Sequence, residues 1–95
     1  MEICEEIDFS FYRFRKALGE KELETFLKTK FKKLGKYDLV WGKWIEKEFL
    51  DEDSGLYLFF YRSGLRDKSL MSAMFLRMFY TNARQNKFDK PTAIG

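Results

Sequence analysis

Three arginines, Arg66, Arg77 and Arg84, are the side chains in this chain whose type and spacing most suggest chemistry. On a helix advancing about 100° per residue they project within about 20° of one another. A row of planar guanidinium forks along one helix edge suits bidentate capture of carboxylate or phosphate on a partner; the competing use is pairing with acids of the same chain. Such a row recognises and does not react. The rest of the composition agrees. With no His, the chain lacks the commonest general acid or base, the commonest zinc ligand and the usual partner of a nucleophilic Ser or Cys. With Cys4 as its one cysteine it can build neither an intramolecular disulfide nor a thiolate metal cage. No catalytic residues, cofactor or metal site are therefore expected.

The carboxylates Glu46, Glu48, Asp51, Glu52 and Asp53 are dense enough to suggest a cation. They lack the alternating ligands and terminal bidentate Glu of a calcium loop, and a solvated turn accounts for them better. Gly42, Gly55 and Gly64 are isolated turn or bulge candidates without phosphate-loop or dinucleotide spacing. No internal repeat is visible. With 95 residues the chain is sized for one domain and one modest core, and its 11 Phe, 5 Tyr and 2 Trp exceed what such a core readily hides. Some rings are expected to face a partner. A net charge of +3 is only mildly basic and settles no partner class. With no basic-then-apolar N-terminal signal and no apolar run of spanning length, a cytoplasmic location is expected, in a cell or in an infected host.

The elements that must position these residues begin with a helix over residues 2 to 18, where Ile3, Ile7, Phe11, Phe14 and Leu18 share one face and Gly19 offers a stop. A strand from Ile7 to Phe14 competes, but alternation would set Arg13 and Arg15 beside Ile7, Phe9 and Phe11. A second helix is expected from Glu20 to Leu34 on the stripe Leu23, Phe26, Leu27, Phe31 and Leu34, ended by Gly35. Its outer side would carry Lys21, Lys28 and Lys32, with Lys33 and Lys36 nearby. That side is either a solvated face or one that tracks phosphates.

Residues 37 to 50 and 56 to 62 are rich in β formers and flank the polar turn Asp51 to Gly55, which predicts an antiparallel hairpin. Trp41 and Trp44 would then point to opposite faces, leaving at least one part-exposed or at an interface. Gly55 to Tyr61 has aromatic spacing like that of an RNA-recognition strand, but it lacks the leading basic residue and second glycine. A last helix is expected over Asp67 to Asn86, capped by Asp67 or Ser69 and apolar around much of its girth through Leu70, Met71, Met74, Phe75, Met78 and Phe79. Residues 87 to 95 read as an extended or mobile tail following a globular domain over 1 to 86.

The expected fold is thus a small α+β domain of order α-α-β-β-α. The leading functional expectation is a non-catalytic protein-binding module, an inhibitor or adaptor of the kind viruses and mobile elements use against larger machines. Its anchors would be Arg66, Arg77, Arg84 and Tyr80 with Trp41 and Trp44. The alternative is a single-stranded RNA or DNA binder using Lys21, Lys28 and Lys32 with Tyr57 and Tyr61. The surplus apolar surface also makes a homodimer reasonable.

Overall fold

The computed structural model describes residues 3 to 88, and over that span the chain is helical. Five α-helices follow one another: α1 (Ile3–Leu18), α2 (Glu20–Lys28), α3 (Gly35–Phe49), α4 (Gly55–Arg62) and α5 (Lys68–Phe88). A single 3-10 turn over Phe31–Lys33 joins α2 to α3. No strand occurs among the described residues, so the expected α+β fold and its hairpin are corrected to an all-helical one. The expected tail lies outside the described residues except for 87 and 88, which continue the backbone of α5.

α1 forms where its apolar spacing places it. Phe11, Phe14 and Leu18 are buried on one face, Glu5 and Glu6 sit in the first turn, and Arg15 and Lys16 in the last, complementing the helix dipole. Gly19 stops it with a φ of 82°, in the left-handed region that L side chains rarely adopt. α2 is shorter than its stripe suggests. Thr25 and Thr29 hydroxyls donate back to the carbonyls of Lys21 and Thr25, Thr29 and Lys30 turn extended, and the released carbonyls find donors on α5. There the Tyr80 hydroxyl donates to the Thr29 carbonyl, and Arg84 Nη1 donates to the Leu27 carbonyl at 3.4 Å. A helix end leaves carbonyls without intrahelical partners, and α5 supplies some of them.

The two expected strands are α3 and α4. In α3 the side chains facing the core are Tyr37, Ile45 and Phe49, with Trp41 and Trp44 half-buried beside them, at spacings of three and four. Burial of that stripe overrides the intrinsic β preference of its Trp, Tyr and Val residues. Gly42 lies mid-helix and buried, where a Cβ would stand 3.6 Å from Ser72 Oγ of α5. It is neither a turn nor a bulge. In α4, Leu56 and Phe60 are buried one turn apart. The polar residues expected at a hairpin tip end in a helix cap instead: Ser54 Oγ accepts from Tyr57 N and donates to the Phe49 carbonyl at 2.9 Å. Glu6 of α1 adds a carboxylate that accepts from Leu56 N at 2.9 Å. Gly55 is helical, and its missing side chain leaves room for that carboxylate, which an added Cβ would strike.

α5 is the central helix, packed closely on α3 and also touching α2 and α4, while α1 covers α2 and α4. Its N-terminus is capped by Asp67, whose Oδ1 accepts from Ser69 N and from Ser69 Oγ, both at 2.9 Å. These bonds hold the Asp67 carboxyl below its ordinary value. The core is largely aromatic. Fully buried Phe14 meets Phe79 at 4.9 Å and Trp41 at 5.5 Å between centroids, both edge to face, and Phe75 at 5.9 Å. Trp41 and Trp44 lie edge to face at 5.5 Å. They share one side of α3 rather than opposite faces of a strand.

Candidate functional site

The arginine row does not assemble. Arg66 precedes α5 and its guanidinium lies over the Tyr61 ring, 3.9 Å from the centroid. Arg77 grips Asp38 of α3 bidentately, Nη1 donating to Oδ1 at 3.0 Å and Nη2 to Oδ2 at 3.1 Å, and Nη1 also donates to the Ala73 carbonyl at 2.8 Å. Arg84 donates to the Tyr80 hydroxyl and lies over that ring. Tyr80 itself is buried. Arg77, Arg84 and Tyr80 therefore tie α5 to α3 and to the end of α2, and the two tryptophans pack on Phe14. The intramolecular use of the arginines accounts for these contacts.

The residues suggested for nucleic acid lie on separate elements. Lys21 and Lys28 are on α2 with Glu24 between them on the same side, and Lys32 belongs to the 3-10 turn. Tyr57 and Tyr61 sit one turn apart on α4, with ring centroids 5.8 Å apart. Lys68 Nζ stands 5.7 Å from the Tyr57 centroid, as Arg66 stands over Tyr61. Of the carboxylates around residue 50, Glu48 accepts from Arg13 at 2.8 Å, Glu52 lies 3.9 Å from Lys68, and Asp51 accepts from Asp53 N within the turn. Among the described residues no cluster of His, Cys, Asp or Glu could hold a metal ion. Among them, too, no helix is long and apolar enough to cross a membrane.

What the fold does assemble is an open groove of about 470 Å³ along the outer face of α5. Met74 and Met78 form its floor, Phe11 of α1 and Phe31 of the 3-10 turn its two sides, and Thr81 and Gln85 its far end. The spacing is that of one helix face: residues 74, 78, 81 and 85 are four, three and four apart. The core side of α5 carries Met71, Phe75, Leu76 and Phe79, all buried. Phe31 is 52% exposed and Met74 43% exposed, and Leu70, 55% exposed, lies one turn before Met74. Between Ser69 and Thr81 the only charged side chain is Arg77, which lines the groove and is already neutralised by Asp38. A solvent-facing helix surface without free charge over three turns is unlike an ordinary soluble exterior.

The apolar spacing placed Phe31 in the stripe of a longer second helix, and Met74 and Met78 on the broad apolar girth of the last helix. The signal for the groove was the girth of apolar residues on the last helix, more than one neighbouring layer can cover. The break at Thr29 that swings Phe31 beside α5 had no counterpart in the apolar pattern. A second hollow of about 440 Å³ adjoins the groove, sharing Phe11 and Asn82 and continuing past Tyr12 and Arg15. Comparison with known proteins gives the chain no family: no family model, no curated protein and no solved structure matches it.

Proposed function

We propose that the protein is a non-catalytic binding module that takes an apolar helical segment of another protein into the α5 groove. The observation that carries this reading is the uncharged apolar stripe of exposed Met74 and half-buried Met78 between the rings of Phe11 and Phe31, preceded one turn earlier by exposed Leu70. A groove of this shape matches helix-in-groove recognition, in which side chains at i, i+3 or i+4 and i+7 enter a hydrophobic channel. Unbranched thioethers suit it because they re-pack around differently shaped apolar anchors. The salt bridge to Asp38 fixes Arg77 along the groove, leaving its remaining donors to orient a partner's carbonyls or carboxylates.

Selection from a phage-displayed library of helical peptides, followed by binding to variants, tests it. Selected peptides are expected to lose at least about tenfold in affinity for Met74→Arg and to keep their affinity for Leu39→Arg, since Leu39 is exposed on α3 outside the groove. Equal binding to wild type and Met74→Arg, with both folded by circular dichroism, overturns the reading.

A further inference from the structure

Phe31 walls one side of the groove, and it stands in the most basic stretch of the chain. Lys28, Lys30, Lys32, Lys33 and Lys36 fall within nine residues that contain no acid. All five are exposed. None has a carboxylate partner among the described residues, whereas Arg13, Lys68 and Arg77 all do. Among the described residues the one side-chain contact of the five is that of Lys36 Nζ, 5.5 Å from the Tyr37 ring centroid. The helix dipole of α2 accounts for Lys28 at its end. It does not account for the other four, which surround the start of α3, a helix whose N-terminus has no side-chain cap and so adds to the positive potential.

Asp38 in the first turn of α3 is taken up by Arg77, and the acids Glu46, Glu48, Asp51, Glu52 and Asp53 gather at the other end of α3, roughly 20 Å away by helix rise and beyond a Debye length. The result is a concentrated positive corner beside an apolar channel on a molecule of net charge only +3.

Resting on the groove reading above, we propose that the segment it receives is an acidic amphipathic helix. Its apolar side chains enter over Met74 and Met78, and its Asp or Glu side chains lie on Lys30, Lys32 and Lys33 around Phe31. The corner selects among apolar helices and speeds their encounter, while the groove supplies the contact area. A nucleic-acid strand is the other polyanion to weigh, and the surroundings of Phe31 disfavour it. Phe31 packs edge-on against Tyr80 at 5.8 Å and forms the side of a methionine-floored channel rather than one step of a row of open rings. Among the described residues the exposed tyrosines, Tyr12 and Tyr61, stand on separate helices, α1 and α4, with Lys16 Nζ 5.6 Å from one ring centroid and Arg66 over the other ring.

The test uses four probes against the full chain: three synthetic helical peptides of about 18 residues sharing one leucine face, with Glu, Gln or Lys on their flanks, and a fluorescent oligothymidylate. The Glu peptide is expected to bind at least about tenfold more tightly than the Gln peptide at low salt and to converge with it as salt rises. Its advantage is expected to vanish in the variant Lys30→Glu, Lys32→Glu, Lys33→Glu, and its binding to be lost in Met74→Arg. If the Gln and Glu peptides bind alike, both sensitive to Met74→Arg, the groove reading stands and the acidic partner is overturned. If the oligonucleotide binds through the lysines and outcompetes the Glu peptide, the proposal is overturned in favour of nucleic acid. If no peptide binds the folded protein, groove and partner fall together.

Discussion

Arg77 and Asp38 join the two most closely packed helices, and a double-mutant cycle across them measures how far these side chains serve the fold. The pair is bidentate at 3.0 and 3.1 Å, with both side chains 28% exposed. At an effective dielectric near 20 two charges about 4 Å apart attract by roughly 4 kcal/mol before desolvation and side-chain ordering are subtracted. Exposed pairs retain only about 0.2 to 1 kcal/mol, and charge-assisted hydrogen bonds contribute about 1.5 to 3 kcal/mol. A half-screened bidentate pair falls between, so a coupling energy of about 1.5 kcal/mol is expected. Arg77→Ala should cost more, about 2 to 3 kcal/mol, because it also removes the bond to the Ala73 carbonyl and leaves Asp38 part-buried without its partner. Asp38→Ala should cost about 1.5 kcal/mol. Urea unfolding of wild type, both single variants and the double variant gives the coupling directly, and the single Arg77→Ala change should lower Tm by roughly 8 to 20 °C for a domain of this size. A coupling below about 0.3 kcal/mol, with Arg77→Ala as stable as wild type, would refute the structural role and return Arg77 to the solvent.

Other substitutions probe the remaining joints. Gly42→Ala should stabilise by about 0.5 to 1 kcal/mol, since the new Cβ meets Ser72 Oγ at an ordinary 3.6 Å and a helix interior gains from replacing glycine; Gly42→Leu should destabilise, and a stability loss with Ala in urea unfolding would contradict the packing. Tyr80→Phe, which removes the donor to the Thr29 carbonyl and the acceptor for Arg84, should cost about 1 to 2 kcal/mol and speed amide exchange at the end of α2 rather than in α4. Gly55→Ala displaces the Glu6 carboxylate from Leu56 N, so its effect should turn more favourable in a Glu6→Ala background; independent, additive effects would count against that cap. The Asp67 carboxyl is held below its ordinary value by Ser69, so its cap is at full strength above about pH 4 and is lost as pH falls through the lower, folded value. Thermal melts of Asp67→Ala should therefore fall less steeply between about pH 4 and pH 2 than those of wild type, and parallel profiles would contradict the assignment.

Where one apolar face met one neighbour, the elements were legible in the residues. The spacing of Ile7, Phe11, Phe14 and Leu18 marked α1, the stop at Gly19 carries the positive φ expected of it, and Asp67 caps α5 as its position suggested. The middle of the chain misled because its rings and β-branched residues favour strands locally, while the deciding quantity was the stripe Tyr37, Trp41, Ile45 and Phe49 that only a helix brings to one side. That stripe was visible in the fact that neither face of the supposed strand was purely apolar. The turn Asp51 to Gly55 was recognised as a chain reversal, but polar residues ending in Ser-Gly serve a helix cap as readily as a hairpin. Of the groove, the surplus apolar girth of α5 was legible. The contribution of Phe31 was not, because it depends on the kink at Thr29 and on Tyr80 and Arg84 supplying donors from more than 50 residues away.

The central claim is that partners seat on the outer face of α5, and the methionine methyl groups report on it with little ambiguity. Met74 and Met78 line the groove, while Met71, one turn before Met74 on the same helix, is fully buried in the core. In a methyl-labelled sample titrated with a selected peptide, the Met74 and Met78 resonances should shift most and that of the core-packed Met71 least. Shifts that leave Met74 and Met78 untouched while residues elsewhere respond would contradict the account.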